Sequence, residues 1–450
     1  MDQNRTSGRM RRDALDIFKA GLEAVEARDA VRNALALEGD MLSAAGRLYD
    51  LRKFRRILIL GAGKASAFMA AGAEEILGAR IDQGLVCVKY GHGTDLKKIR
   101  LVEAGHPVPD ANGEAAARAI LELATRSGPD DLIIFLLSGG GSALLPLAWE
   151  GIRLEDKQKA ASLMLASGAT IHQINTVRKH CSRIKGGRLA QAAAPARIVT
   201  LIISDVVGND LDVIASGPTV ADPSTFEDAL ETIGQLGLKE KMPDAIISHL
   251  EAGIRGLVPE TPKAESFDWR HVQNEIIADN LQALEAACEK ARSLGYNTLL
   301  LSSRIEGETR TVARVHGAMA REVAATANPI APPACLLSGG ETTVTICGNG
   351  LGGRNMEFAL AAAVDIAGCR DMVVLSGGTD GTDGPTDAAG AVSDGLTTAR
   401  AARMGLDASD FLRRNDSYHF FEALNDLVVT GPTHTNVMDL RIMLIGLPTA

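Results

Sequence analysis

The sequence predicts an α/β protein with a parallel sheet in its N-terminal part. Short, continuously apolar segments recur along the chain, and each leads into a glycine-rich turn and an alanine-rich helical stretch. Such runs are typical of strands buried on both faces, and their alternation with helices is typical of parallel sheets. The 46 glycines among 450 residues indicate many sharp turns or close backbone approaches.

The elements follow in chain order from these patterns. Apolar side chains at helical spacing predict an amphipathic helix over 12–28. Four strands are predicted in the N-terminal part, over 56–60, 84–88, 131–137 and 197–203. In the C-terminal part we predict a helix over 280–291 and strands over 297–301, 334–337, 342–346 and 372–375.

The segment 254–273 interrupts this rhythm with two prolines and no periodicity, so it predicts a boundary between domains 1–255 and 265–450. A hairpin joining 334–337 to 342–346 across Ser338-Gly-Gly-Glu341 would give the C-terminal domain a mixed sheet.

Composition excludes several classes of protein. The net charge of −9 argues against nucleic-acid binding, which normally needs a basic surface. The apolar fraction of 46% argues against disorder. No apolar run approaches the roughly 20 residues of a membrane span, and no signal-peptide pattern is present. Six cysteines without a C-x-x-C pair are typical of free thiols in a reducing compartment, so we expect a cytoplasmic protein that binds no membrane.

The first informative turn is Gly61-Ala-Gly63-Lys64, between a predicted strand and a helix. Backbone N–H groups at a helix start suit a phosphate, and Lys64 adds a positive charge. The spacing fits neither a P-loop nor a complete dinucleotide fingerprint, since Ser66 stands where the third glycine would be. A tight turn with a solvated lysine is the alternative.

The second turn, Ser138-Gly139-Gly140-Gly141-Ser142, follows a very apolar strand. Adjacent glycines are entropically costly, and they are typical of a backbone that approaches a ligand. We interpret this turn as a phosphate cradle, with a close-packed turn as the alternative.

A basic segment spans 175–188. Charge runs are usually solvated faces, but Asn175, Arg178 and Ser182 share one helical face, and Lys185 precedes two glycines. This arrangement predicts an anionic partner. No aromatic residues interleave with the charges, so the segment does not indicate nucleic-acid binding.

Three further residues have the chemistry of a catalytic site. Asp205 lies just past a buried strand, where a carboxylate holds Mg²⁺, accepts a hydroxyl proton or simply caps a turn. Arg354 opens a helix after a glycine-rich run, and arginine suits bidentate binding of carboxylate or phosphate. Asp380 belongs to a glycine-rich turn with three acids, which suits either a hard cation or turn formation. With no nucleophilic cysteine or Ser–His pair, Lys64, Asp205 and Arg354 favour phosphoryl transfer.

These motifs, in this order, resemble the class II glycerate kinases, or glycerate 2-kinases, built from a DUF4147-type and a MOFRL-type domain. The resemblance covers nearly the whole chain. Its matches include Gly61-Ala-Gly-Lys-Ala-Ser66, Gly105-His-Pro-Val-Pro-Asp110, Asn175-Thr-Val-Arg-Lys-His180, Lys185-Gly-Gly-Arg188, Gly352-Gly-Arg-Asn355 and Ser376-Gly-Gly-Thr-Asp-Gly381. Two positions depart from the family pattern, Asn209 and His434, and neither is assigned to the site.

The resemblance implies a Rossmann-like parallel-sheet N-terminal domain and a smaller α/β MOFRL-type domain with a mixed sheet. It also implies ATP-dependent phosphorylation of D-glycerate to 2-phosphoglycerate, with Mg²⁺, in an interdomain cleft. Lys64, Asp205 and Arg354 would be catalytic, and Asp205 and Asp380 would hold the metal. ATP would contact Gly61, Gly63, Ser138, Gly139, Gly140, Gly141 and Ser142. Substrate would contact Arg178, Lys185 and Asn355.

Two alternatives remain at this point. An NAD(P)H-dependent hydroxypyruvate reductase is the first, because family members have carried that label and Gly61-x-Gly63 superficially supports it. The missing third glycine and the lack of an acid at the ribose-binding strand end count against it. A non-enzymatic sugar-acid-binding protein is the second, but it would not need Lys64, Asp205 and Arg354 together. The oligomeric state stays open, and a homodimer is compatible with the sequence.

Overall fold

The computed structural model describes residues 3–447, and the chain divides into two compact units. The first unit comprises residues 27–277, and the second comprises the residues up to 26 together with those from 278 onward. These units differ from the predicted domains 1–255 and 265–450 at both ends of the first domain. The physical reason lies in two elements, the N-terminal helix and the strand at the end of the first unit.

Helix α1 (Gln3–Glu23) packs within the second unit. Its Arg11 pairs with two buried acids there, Asp394 at 2.6 Å and Asp426 at 2.7 Å. The strand that covers residues 272–278 is bound to the first unit, since the Nδ2 of Asn274 donates to the carbonyl of Thr219 at 3.0 Å. These contacts place the boundary between the units at the end of this strand. The prolines within 254–273 lie before the strand and do not indicate that position.

The first unit contains nine helices and nine strands in its described residues. The helices are α2 (Ala27–Ala34), α3 (Ser66–Leu77), α4 (Ala111–Thr125), α5 (Gly141–Leu144), α6 (Leu154–Ala166), α7 (Ile171–His180), α8 (Arg188–Ala193), α9 (Phe226–Gln235) and α10 (Asp244–Ile254). The strands are β1 (Leu35–Glu38), β2 (Met41–Ala44), β3 (Arg47–Asp50), β4 (Arg56–Ala62), β5 (Gln83–Lys89), β6 (Ile99–Ala104), β7 (Asp131–Leu137), β8 (Arg197–Ile203) and β9 (Val272–Ala278).

The main sheet of the first unit has six strands in the order β6-β5-β4-β7-β8-β9. The pairs β6–β5, β5–β4, β4–β7 and β7–β8 are parallel, which confirms the predicted Rossmann-like sheet. Every residue of β7 is buried, as its continuous apolar run requires. Because parallel strands end at the same edge, the turns after β4, β7 and β8 share one edge, where such sheets bind ligands.

A separate three-stranded antiparallel sheet, β1-β2-β3, precedes the main sheet. The sequence does not predict this sheet, because its strands are only four residues long and mix exposed with buried positions. Short strands of this kind carry too few residues for alternation to be recognised.

The second unit contains α1 and six further helices in its described residues, around a second six-stranded sheet. The helices are α11 (Asn280–Ser293), α12 (Thr309–Thr326), α13 (Arg354–Asp365), α14 (Thr397–Arg403), α15 (Ala408–Arg413) and α16 (Ser417–Leu424). The strands are β10 (Asn297–Ile305), β11 (Ala334–Gly340), β12 (Met372–Gly378), β13 (Gly390–Asp394), β14 (Leu427–Val428) and β15 (Asp439–Ile445).

This second sheet has the order β10-β11-β15-β12-β13-β14. Strands β10 and β11 are parallel and the other pairs are antiparallel, which confirms a mixed sheet. The predicted hairpin between 334–337 and 342–346 is wrong. Strand β11 pairs instead with β10 and β15, and Thr343 makes only an isolated bridge with Glu308. Strand β15 therefore pairs with β11 at the position for which the sequence predicted the segment 342–346.

The helices and the cysteines bear on the expectations about membrane spans and free thiols. None of the helices within residues 3–447 combines the length and the apolar character needed to cross a bilayer. All six cysteines are free thiols, and four of them are buried, as the absence of a C-x-x-C pair predicted.

The tight pairing of β4 with β7 gives a testable stability prediction. A Cβ on Gly61 would lie 2.4 Å from the carbonyl oxygen of Leu136, so Gly61→Ala forces the two strands apart. We expect a loss of about 1–3 kcal/mol in the free energy of unfolding, measured by urea denaturation followed by circular dichroism.

Gly234→Ala is the matched control, because Gly234 is an exposed residue of α9 with open space where its Cβ would lie. Alanine there should be neutral or slightly stabilising, since it is the better helix former. Equal stability of the two variants would show that the strands tolerate the added methyl group.

Candidate active site

The candidate site of the first unit is built on the interlocked turns after β4 and β7. The backbone N–H of Lys64 donates to the carbonyl of Gly139 at 2.8 Å. The N–H of Ala65 donates to the Oγ of Ser138 at 3.0 Å. A Cβ on Gly140 would lie only 3.3 Å from the Cγ of Lys64. The two predicted phosphate loops are therefore one structure, with Lys64 beside Gly140.

Gly63 makes this interlock sterically possible. Its φ is +142°, and a Cβ there would lie 2.1 Å from the Oγ of Ser138. Ser138, Gly139 and Gly61 are buried, and Gly61 lies inside β4. These residues allow the close approach of the two strands and their turns, and their contact with phosphate stays a prediction.

Gly141 is also buried, and a Cβ there would lie 2.9 Å from the Cβ of Ala215. It packs the turn against the segment that follows β8. Of the predicted phosphate-binding residues, Gly140 and Ser142 are only partly buried, as is Lys64. These are the members of the loop through which a ligand can be contacted.

Asp205 lies at the same edge of the sheet, just past the end of β8, and is partly buried. The segment after it returns to the glycine turn. There the hydroxyls of Ser142 and Ser216 are 2.6 Å apart, and Ser216 donates to the Oδ1 of Asn175 at 2.9 Å. The edge therefore holds Lys64, the glycine turn and Asp205 on three successive strands of the sheet.

His106 is a site residue that the sequence analysis did not select. It follows β6, and a Cβ on Gly140 would lie 3.1 Å from its Nε2. The signal was present in the quoted run from Gly105 to Asp110, but the strand before it was not predicted. Without that strand, nothing in the sequence placed His106 at the ligand-binding edge.

The basic segment divides into structural and cavity-lining residues. Lys179 is buried and pairs with Asp212 at 2.8 Å and Asp222 at 3.3 Å. Arg188 donates to the carbonyl of Pro259 at 2.9 Å and lies over the ring of Trp149. Both are therefore held by the protein itself.

Arg178 and Lys185 instead line a cavity of about 270 Å³, together with Lys157 of α6 and Ser142. Lys185 is 2% exposed, and its Nζ donates to the carbonyl of Ser142 at 2.8 Å. Burial, with the neighbouring charges of Lys157 and Arg178, holds the pKa of Lys185 well below its usual range. Burial also lowers the pKa of Lys157 to about 8. This cavity has the electrostatics of an anion site.

In the second unit, Arg354 opens α13 and binds the carboxylate of Asp439 with two nitrogens. Its Nε donates to Oδ2 at 2.7 Å and its Nη2 to Oδ1 at 3.0 Å. Its Nη1 lies 2.8 Å from Oε1 of Glu341. Burial opposes the charge of Arg354, but Asp439 and Glu341 together hold its pKa above the usual range. The guanidinium is thus a fixed cation with one nitrogen directed at a half-exposed acid.

Asp439 is fully buried and was not found from the sequence. It also accepts from the Nη2 of Arg441 at 3.1 Å and from the Nδ2 of Asn355 at 2.8 Å. Two charged residues spaced by one in an otherwise apolar strand, Asp439 and Arg441, are the signal that could have identified it.

Asn355 was expected to contact substrate, but it is 1% exposed. Its amide is occupied by Asp439 and by the hydroxyl of Ser376, which donates to Oδ1 at 2.6 Å. Asn355 therefore orients the carboxylate that holds Arg354, and its contact with substrate stays a prediction.

The predicted metal ligands have different local environments. Asp380 is partly buried, and its Oδ1 accepts from both the N–H and the hydroxyl of Thr382 at 3.1 Å, as in a turn-forming aspartate. Across residues 3–447, no group of three or more histidines, cysteines or acids is arranged to hold a metal ion.

A second cavity, of about 470 Å³, opens beside Arg354 and is lined in part by Glu341, Gly353 and Asp383. Asp383 is 2% exposed and accepts from the backbone N–H groups of Asn355 and Met356 at the start of α13. Burial dominates and raises the pKa of this carboxyl to about 7. The Arg354 cavity therefore has a fixed cation and an acid that titrates near neutrality.

Two family models match the chain, the domain of unknown function DUF4147 over residues 13–251 and the MOFRL family over 334–439. A glycerate 2-kinase of Pyrococcus horikoshii is 42% identical over 440 residues, which cover 96% of this chain and 98% of that protein. A D-glycerate 2-kinase of Thermotoga maritima is 41% identical over 433 residues, which cover 96% and 97%. The chain belongs to the glycerate 2-kinase family.

Solved structures agree with the glycerate 2-kinase assignment, and so confirm the resemblance and the fold class. A crystal structure of glycerate kinase from Thermotoga maritima matches with a TM-score of 0.86 and 40% identity, covering 97% of this chain and all of that one. An Agrobacterium vitis protein named putative hydroxypyruvate reductase is also 45% identical over 393 residues, 87% of each chain.

For this glycerate 2-kinase family member, the raised pKa of Asp383 predicts a pH-dependent stability. The carboxyl has a pKa of about 7 in the folded state and about 3.9 in an unfolded chain. Between these values the folded state binds the proton that the unfolded state releases, so stability falls as pH rises. We expect Asp383→Asn to remove this contribution, measured as a shallower fall of urea midpoints from pH 5 to pH 8.

The matched control is Asp407→Asn, because Asp407 is exposed and only caps α15, a position where asparagine caps equally well. It should keep the wild-type slope. Identical slopes for wild type and Asp383→Asn would contradict the predicted titration.

Proposed function

We propose that the protein is an ATP-dependent glycerate kinase that converts D-glycerate to 2-phosphoglycerate. Family membership supports the reaction class. The observation that carries the proposal is the edge of the first sheet, where Lys64, the Gly140 turn and Asp205 follow successive strands. A lysine and a glycine-rich turn at a sheet edge suit the phosphates of a nucleotide, and an acid beside them suits an attacking hydroxyl.

Lys64 is proposed to bind the phosphoryl group during its transfer. The interlock with Gly139 fixes the backbone of Lys64, so its side chain starts from a fixed point beside Gly140. A preorganised charge stabilises the equatorial oxygens of the transferring group without reorganisation. Gly140 and Ser142 would contact the nucleotide phosphates, since they are the partly exposed members of the turn.

Asp205 is proposed to orient the 2-hydroxyl of glycerate and accept its proton. The hydroxyl oxygen attacks the γ-phosphorus, the bond from that phosphorus to the bridging oxygen breaks, and ADP leaves. Mg²⁺ enters with ATP as part of the substrate, and Asp205 and Asp380 stay the proposed protein ligands. Metal brought by the nucleotide does not require a prebuilt cluster of ligands, because Mg²⁺ is commonly held by one or two carboxylates and substrate phosphates.

Arg354 is proposed to bind the substrate carboxylate or the developing charge. Asp439 fixes two of its nitrogens, so only the Nη1 that faces Glu341 can turn to a ligand. Arg178 and Lys185 are proposed to bind substrate in the cavity of the first unit. The cleft between two domains stays a prediction.

One pair of incubations tests the proposed reaction against the reductase, which the name of the Agrobacterium vitis relative favours. Purified protein receives D-glycerate with Mg-ATP, and separately hydroxypyruvate with NADH or NADPH. Formation of ADP, with 2-phosphoglycerate identified by phosphorus NMR, is the expected result. Oxidation of the nicotinamide without ADP formation would overturn the kinase proposal.

Lys64→Ala is expected to lower kcat by about 10²–10³-fold, the cost of removing one preorganised transition-state contact. A coupled assay for ADP measures it, with the melting temperature as a check on folding. The control is Lys159→Ala, an exposed lysine of α6, which should keep the wild-type rate. A Lys64→Ala rate near wild type would remove Lys64 from the catalytic residues.

Asp205→Asn is expected to lower kcat by about 10²–10⁴-fold, the usual contribution of a general base. The amide keeps the shape of the side chain but cannot accept the proton. Asp130→Asn serves as the control, because Asp130 is exposed at the opposite end of β7. We prefer these variants to Arg354→Ala, which would leave the buried Asp439 short of a partner.

A further inference from the structure

Three cations converge on the 270 Å³ cavity of the first unit, from three different places in the chain. Lys157 comes from α6, Arg178 from α7 and Lys185 from the turn that follows α7. The ammonium of Lys157 donates to the carbonyl of Pro146 at 2.9 Å, and that of Lys185 to the carbonyl of Ser142. Among the side chains described for residues 7–447, none of the three forms an ion pair within 4 Å, and Glu114 is the carboxylate whose charge acts on Lys157.

Neighbouring residues show that the fold supplies counter-charges where a buried cation is structural. Lys179, next to Arg178 in sequence, is 3% exposed and has two carboxylate partners, Asp212 and Asp222. Lys185, equally buried, has only a carbonyl. Burying a cation without a counter-ion costs free energy, and the lowered pKa of Lys185 and Lys157 has burial as its main cause. Cations kept in this state are suited to an anion that arrives from solution.

The number of cations indicates the charge of that anion. A carboxylate is commonly bound bidentately by a single arginine, whereas this cavity offers three basic side chains, whose protonated forms a bound anion would favour. Pro107, Val108, Pro109 and Leu165 form apolar parts of its wall, so the polar groups available to a ligand are few. The cavity is therefore matched to a small ligand with two or more negative charges.

We propose that this cavity is a site for a small acid that carries a phosphate in addition to its carboxylate, and that Lys157 selects this ligand over the unphosphorylated acid. A phosphate monoester adds nearly two negative charges at neutral pH. Lys157 is the third basic side chain of the cavity and is available to bind them. The identity of the acid rests on the proposed function, and the charge class rests on the cavity alone. D-Glycerate then binds through Arg178 and Lys185, and the phosphorylated product gains Lys157.

The test is isothermal titration calorimetry of the full-length protein with D-glycerate, 2-phosphoglycerate, inorganic phosphate and ADP. We expect the wild type to bind 2-phosphoglycerate at least about tenfold more tightly than D-glycerate. Lys157→Met should weaken 2-phosphoglycerate and inorganic phosphate about tenfold and D-glycerate less than about threefold. Lys157→Arg should restore the wild-type preference, because it keeps the charge.

Lys159→Met is the matched control, since Lys159 is an exposed residue of the same helix, and it should leave all four affinities unchanged. Melting temperatures check folding. If Lys157→Met destabilises the protein, Lys157→Gln replaces it, because its amide can still donate to the carbonyl of Pro146.

If Lys157→Met lowers the affinities for 2-phosphoglycerate and D-glycerate by the same factor, the proposal is overturned. Lys157 would then attract any anion and would not select the phosphorylated acid. Loss of ADP affinity alone would also overturn it, because the cavity would then serve the nucleotide. Binding of 2-phosphoglycerate that depends on Lys157, in a protein that forms no ADP from D-glycerate, would overturn only the proposed function.

Discussion

The close approach of β4 to β7 is the constraint on which the candidate site of the first unit depends. Gly61 lets the strands pair tightly, and Gly63 lets the turn after β4 reach Ser138. Once the turns touch, the N–H of Lys64 bonds to Gly139 and fixes the lysine beside Gly140. Side chains at either glycine would separate the turns, and the positive charge would no longer be held at the edge of the sheet.

In the second unit, a buried carboxylate rather than a glycine fixes the position of the charged residue, Arg354. Asp439 gathers Arg354, Arg441 and the amide of Asn355 around one group. A buried ion pair adds little to stability but restricts orientation. The consequence is that Arg354 keeps two nitrogens on Asp439 and presents the third toward Glu341.

The basic segment of the first unit concentrates positive charge in a chain whose net charge is −9. Its lysines differ in their partners. Lys179 forms ion pairs with Asp212 and Asp222, whereas the ammonium of Lys185 donates only to a carbonyl, that of Ser142. The structural interpretation of this segment therefore applies to Lys179, and the anion site at Arg178 and Lys185 stays a prediction. The two lysines differ because acids pack against Lys179 on α7 and none pairs with Lys185 in the turn that follows it.

The sequence by itself determined four of the six strands of the first sheet, the glycine-rich turns at their ends and the family. Continuous apolar runs report burial directly, so β7 and β8 were predicted with the bounds that the structure has. Only the tertiary structure decided which strands pair, which placed β15 beside β11 and α1 in the second unit. It also decided which polar groups meet, and so revealed Lys157, His106 and Asp439. The local order of apolar and polar residues indicates whether a side chain is buried. It does not indicate which residues distant in the sequence become its neighbours, because tertiary packing decides that.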